Sequence, residues 1–207
     1  SIVEDQEKQN ELRGIGYTIA AKFGPVILRQ DNKLMWSVGR EAMKFPLITI
    51  GPRCQENIEG TIEIDIYNQL KFNYKSQNVI GYVEGKKYKD QYIIVCAHYD
   101  HLGQLGNAIF PGGNDNASGT AGMIEMMKYY VENPHDYTVV FIAFGGEEAG
   151  LVGSSYYVEH PVVPLEQTKF VLDLAIMGSA DDGITVVNGT QHTVLSEQMD
   201  SINRENQ

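Results

Sequence analysis

From Asn78 to Ala175 short apolar runs alternate with stretches of helical spacing, an order that few folds accommodate. The runs are Val79 to Val83, Tyr92 to Ala97, Val139 to Phe144 and Phe170 to Ala175, with helical spacing from about Ser118 to Val131 and around Leu151 to Glu159. Strands that are apolar throughout bury both faces, and that requires helices on either side of a mostly parallel sheet. The expectation is a three-layer α/β/α sandwich around a mixed, mostly parallel sheet.

The preceding stretch predicts a small α+β segment. A helix runs from about Val3 to Phe23, with Leu12, Ile15, Ile19, Ala20 and Phe23 near helical spacing and Gly24-Pro25 as its stop. Val26 to Leu28 and Leu47 to Ile50 read as strands, with a short helix between them around Val38 to Phe45. Ile62, Ile64 and Ile66, then Leu70, Phe72 and Tyr74, alternate with polar residues and predict an antiparallel hairpin or one long bent strand. A boundary near residues 75 to 80 gives domains 1–77 and 78–207.

A formal charge of -11 argues against a nucleic-acid partner, which needs clustered cations to displace counterions. Lys86, Lys87 and Lys89 form the one basic cluster and read as a solvated turn. No apolar run approaches the ~20 residues of a membrane-spanning helix, and no signal-peptide pattern opens the chain. The start at Ser1, without Met, suggests removal of something upstream. Cys54 and Cys96 make no disulfide framework, and Cys96, inside a strand-like run, reads as a buried inert thiol.

Three polar clusters stand where chemistry is expected. His98-Tyr99-Asp100-His101 follows the second apolar run, Glu147-Glu148 follows the third, and Asp115 lies in a small-residue loop, Pro111 to Gly119, that opens a helix. Ligands of open α/β sheets collect beyond the carboxyl ends of the strands, and carboxylates brought together there repel unless a cation joins them. Imidazole with carboxylate is a zinc donor set. His98-x-Asp100 fits a ligand and the carboxylate that orients it. Strand alternation argues against His101 touching a metal ion. For Asp115 alone helix capping is the simpler reading; beside His98 and Glu148, a carboxylate bridging two ions is the better one.

These three motifs, in this order, resemble the co-catalytic di-zinc aminopeptidases, whose relatives include glutamate carboxypeptidase, glutaminyl cyclase and the non-catalytic transferrin receptor ectodomain. The matching stretches are Val95 to Gly103, Pro111 to Gly119 and Phe144 to Ser154, and the resemblance extends over about residues 78 to 190. It implies a peptide or aminoacyl substrate and two zinc ions: His98 on one, Asp115 bridging both, Glu148 on the second. Glu147 would be the general base and Asp100 the partner of His98. Residues 1–77 more loosely resemble the end of a protease-associated, lid-like domain, and the family's habit of export implies a periplasmic, cell-surface or secreted location.

Two departures shape the functional expectation. Asp173-Leu174-Ala175-Ile176-Met177-Gly178 places Ala175 where the family has its next aspartate ligand, and Asp173, two residues earlier, stands roughly 6.5 Å away along a strand. The family's last histidine ligand has no counterpart before Gln207, and His192 reads as exposed or capping, so a truncated chain with one ligand missing at each ion is expected. The leading reading is a zinc exopeptidase of aminopeptidase type, impaired in this chain. A catalytically inactive binding module on the same scaffold and a single-zinc enzyme like glutaminyl cyclase are the alternatives.

Overall fold

The computed structural model describes residues 2–30, 34, 36–39, 41–55, 60–179 and 183–205. The backbone divides into two compact units, Ser1–Gln77 with Gly146–Val152, and Asn78–Gly145 with Gly153–Gln207.

In the first unit helix α1 (Ile2–Lys22) precedes two parallel strands, β1 (Val26–Arg29) and β2 (Leu47–Ile50), and a single turn of helix, α2 (Pro52–Gln55). The helix packs through its small residues rather than through the large apolar ones that suggested it. Gly16 and Ala20, one turn apart, are buried, and a Cβ on Gly16 would lie 3.1 Å from the Leu28 side chain. Leu12 and Ile15 are exposed. Two expectations fail here. The described residues between 38 and 45 form no helix, with Gly39 and Pro46 bounding a stretch too short to nucleate one. Residues 61–70 form no strand, because their alternation finds no partner among the described residues to complete a ladder.

The second unit carries the sheet. Its strands are β3 (Val79–Val83), β4 (Tyr88–His98), β7 (Tyr137–Phe144) and β8 (Thr168–Asp173), in the order β3-β7-β4-β8. A hairpin of β5 (Gly103–Leu105) and β6 (Ala108–Phe110) lies outside it. Helix α3 (Gly119–Glu132) links β4 to β7, α4 (Val152–Glu159) links β7 to β8, and α5 (Thr193–Glu205) follows. β4 runs parallel to β7 and to β8, and only β3 is antiparallel, so the sheet is mixed and mostly parallel.

Strand alternation sorts the core onto two faces. Val95, Ala97, Val139 and Phe141 pack with Met123 of α3, and Met126, Met127 and Tyr130 of the same helix close over them. Ile94, Cys96, Val140 and Ile142 point the other way, against Tyr157 of α4. Both faces are thus covered, which is why these strands carry no polar alternation. In the ladder His98 pairs with Phe144, so β4 and β7 end side by side and release their loops at the same edge. The Asn78 side chain gathers the loop after β7 at its base, accepting from Gly145 N at 3.1 Å and donating to Gly153 O at 2.8 Å.

Candidate metal centre

His98 is the last residue of β4 and is 8% exposed. Its Nδ1 lies 3.1 Å from the Asp100 backbone carbonyl and 3.8 Å from the Asp100 carboxylate, and its Nε2 lies 3.1 Å from Asp115 Oδ1. The carbonyl is therefore the nearer orienting partner, and the Asp100 carboxylate stands behind it. In the tautomer in which Nδ1–H donates to that carbonyl, Nε2 turns a lone pair toward a carboxylate oxygen. That contact is repulsive unless a proton or a cation shares it. Two donors on one tetrahedral zinc, each about 2.0–2.2 Å from it, are separated by about 3.3–3.5 Å. The pair is within a few tenths of an ångström of that spacing, and its donor types fit the ion.

Asp115 reaches this position from an irregular turn, Gly113–Ser118, ahead of α3. It does not cap the helix. That task falls to its neighbour Asn116, whose Oδ1 accepts from Gly119 N at 3.1 Å. The simpler explanation for a carboxylate at the start of α3 is thereby removed, and Asp115 remains for His98.

Glu147 and Glu148 follow β7 in a loop closed on itself. Gly150 N and Leu151 N donate to Glu147 O at 2.7 and 2.9 Å, and Val152 N donates to Gly146 O at 3.0 Å. Gly146 and Gly150 have φ of 73° and 91°, a conformation that favours glycine, which accounts for the glycines flanking the acidic pair. Both glutamates are half-buried. One donor atom each from His101, Asp115 and Glu148 lie within 4.8 Å of one another. Asp115 is common to this group and to the His98 pair, as a bridging carboxylate is.

His101 is the residue that sequence reasoning set aside. β4 ends at His98, so strand alternation does not fix the direction of His101, which joins the candidate group with Asp115 and Glu148.

Ala175 lies past the end of β8 and offers no donor, yet the backbone on both sides of it is tied beside Asp115. Asn116 Nδ2 donates to Leu174 O at 2.9 Å, and Ile176 N donates to Asn116 Oδ1 at 3.2 Å. Asp173 is level with Cys96 in the ladder and lies 3.5 Å from its thiol, so it points away from the His98 level of the sheet. Burial, then the Asp173 charge and its hydrogen bond, push the Cys96 thiol far up, in keeping with an inert side chain. His192 is exposed just ahead of α5. Lys86 and Lys87 stand exposed in a bend and Lys89 exposed at the start of β4: Lys89 pairs with Glu84 at 2.5 Å, and Lys87 lies over the Tyr88 ring. No helix among the described residues is long and apolar enough to cross a membrane.

Comparison with known proteins adds the lineage. Over 111 residues the chain is 40% identical to aminopeptidase YwaD of Bacillus subtilis, covering 53% of this chain and 22% of that protein. Over 143 residues it is 31% identical to a probable zinc metalloprotease of Pyricularia oryzae, covering 68% of this chain and 28% of the other. A crystal structure of a zinc aminopeptidase from Bacillus subtilis aligns at 39% identity with a TM-score of 0.47, over 54% of this chain and 27% of that one. The chain thus spans less than a third of the length of these relatives. The family model of peptidase family M28 matches residues 78–206, and the chain belongs to that family.

Proposed function

We propose that this chain serves zinc-dependent hydrolysis of peptide bonds, of the aminopeptidase type, on a peptide or aminoacyl substrate. The observation that carries the reading is His98 Nε2 at 3.1 Å from Asp115 Oδ1 at the carboxyl edge of an M28 sheet. His98 and Asp115 would hold one ion and Asp115 with Glu148 a second, His101 standing within reach of the latter pair. Bound zinc supplies Lewis acidity toward the scissile carbonyl and lowers the pKa of an attacking water toward ~7. Glu147 would serve as the general base toward the attacking water and as proton donor to the leaving amine, and Asp100 would fix the ring of His98. Residues 1–77 form a lid-like, protease-associated segment ahead of a catalytic region at 78–207, and the protein is exported. These last readings rest on the sequence resemblance.

Ala175 impairs the site. The Asn116 tie holds position 175 beside Asp115 but the methyl group supplies no donor, and this specific observation favours a second reading, a binding module without catalysis. One experiment separates the two: zinc calorimetry and aminoacyl-anilide hydrolysis on the wild type, Ala175→Asp, and Ala175→Asp with Glu147→Gln. The wild type is expected to bind zinc weakly with little turnover, and the aspartate to strengthen both. Adding Glu147→Gln should cut the rate by ~10²–10⁴ with zinc retained, as general-base loss does. Full zinc occupancy in Ala175→Asp with no cleavage would leave the binding module as the better reading.

A further inference from the structure

We propose that Asn116 is a positioning residue for the metal pair, tying the loop that carries Asp115 to the backbone that follows β8 so that the carboxylate meets an ion already in place. The claim rests on the metal reading above and concerns a residue that is not itself a ligand. Asn116 is 2% exposed, and its amide joins three separate backbone groups. Oδ1 accepts from Gly119 N at 3.1 Å and from Ile176 N at 3.2 Å, and Nδ2 donates to Leu174 O at 2.9 Å. One side chain therefore binds the first turn of α3 and both neighbours of Ala175.

Its flanking residues extend the tie. Ser118 Oγ accepts from Met177 N at 2.9 Å, and Asn114 Oδ1 accepts from Gly178 N at 2.7 Å. Three successive amides, 176, 177 and 178, are thus each held by a different side chain of one turn. The approach is close enough that a Cβ on Gly119 would stand 2.1 Å from Leu174 O. Asn114 and Ser118 each add one bond to the segment. Asn116 differs in being buried and in tying both neighbours of position 175, so losing its bonds frees the turn that carries Asp115 as well as the segment. A carboxylate that must be ordered at the moment of binding holds its ion less tightly.

The test uses the whole chain with Zn2+ and, as a spectroscopic probe, Co2+. Asn116→Ser keeps a short oxygen able to cap Gly119 but too short to reach Leu174 O and Ile176 N; Asn116→Ala removes all three bonds. Ser118→Ala removes one tie of the same segment while leaving both chain neighbours of Asp115 in place. Asn116→Ser, folded by circular dichroism, is expected to bind Zn2+ ~10–100-fold more weakly, the range for loss of a group that orients a ligand, and to change the visible absorption of bound Co2+. Ser118→Ala should lower the melting temperature of the metal-free protein and leave Zn2+ affinity within about twofold of wild type, while a loss as large as that of Asn116→Ser would overturn the special role of Asn116. If Asn116→Ala fails to fold, Asn116→Ser decides the matter. A folded Asn116→Ser with wild-type Zn2+ affinity and Co2+ spectrum overturns the proposal. A wild-type chain that takes up no Zn2+ at all sinks the metal reading itself, and the positioning role with it.

Discussion

Two stretches of this chain carry equally dense β-branched sequence, and only one of them makes a sheet. Residues 61–67 alternate isoleucine with threonine and acids, the pattern of a half-buried strand, yet Ile62, Ile64 and Ile66 are 43, 37 and 58% exposed and no strand forms. Residues 139–142 show no alternation, and Val139, Val140 and Ile142 are at most 1% exposed in β7. Periodicity describes the faces a strand would have; a strand exists when a neighbour completes its ladder and something covers those faces. β7 has β3 on one side and β4 on the other, with α3 and α4 above and below.

The sharpest way to break that contrast is to truncate the covered strand. Phe141→Ala removes a ring packed among Val95, Val139 and Met123, and should cost about 3–5 kcal/mol of stability in denaturant unfolding. A loss below about 1 kcal/mol would show that the core is not where the contacts place it.

The cysteines sharpen the comparison chemically. Cys54 is exposed and Cys96 buried, so a thiol reagent should label one equivalent in the native protein and the second only after unfolding. Because burial raises the Cys96 thiol above its ordinary 9.0, the unfolded chain ionises there while the folded chain does not. Its contribution to stability is therefore complete below pH 9.0 and is lost as the pH rises beyond it, by at most about 1.4 kcal/mol per pH unit. Cys96→Ala should flatten that alkaline fall. An unchanged pH profile would remove Cys96 from the account.

The same contrast marks how much the sequence disclosed. The runs at Tyr92–Ala97 and Val139–Phe144 and the helix after Ser118 were legible because apolar composition and helical spacing both report burial, and the burial is real. His98, Asp115, Glu147 and Glu148 could be singled out as candidates because each stands at or just beyond a strand end or at a helix start, where loops converge. The β5–β6 hairpin was not, since three-residue strands leave no period to detect. The strand expected to reach Ala175 ends at Asp173, because beyond that point Asn114, Asn116 and Ser118 hold the backbone in place of a neighbouring strand. Contacts made by side chains to distant backbone carry no local signature.

The smallest effect is expected in the uncovered stretch. Ile66→Ala should change stability by no more than about 0.5 kcal/mol, as surface substitutions do. A larger loss would mean that residues 61–67 are packed against something after all.

Asn78 has a consequence for assembly. It directly precedes the edge strand β3, whose first pair in the ladder is Val79 with Ala143, and it grips Gly145 and Gly153 across 67 and 75 residues of chain. If β3 zipped one residue out of step, Gln77 or Val79 would stand in its place, the first too long for the gap and the second unable to hydrogen-bond at all. The Gly145 amide and Gly153 carbonyl would then lose this partner, so one side chain links the register of β3 to the two ends of the loop that carries the acidic pair.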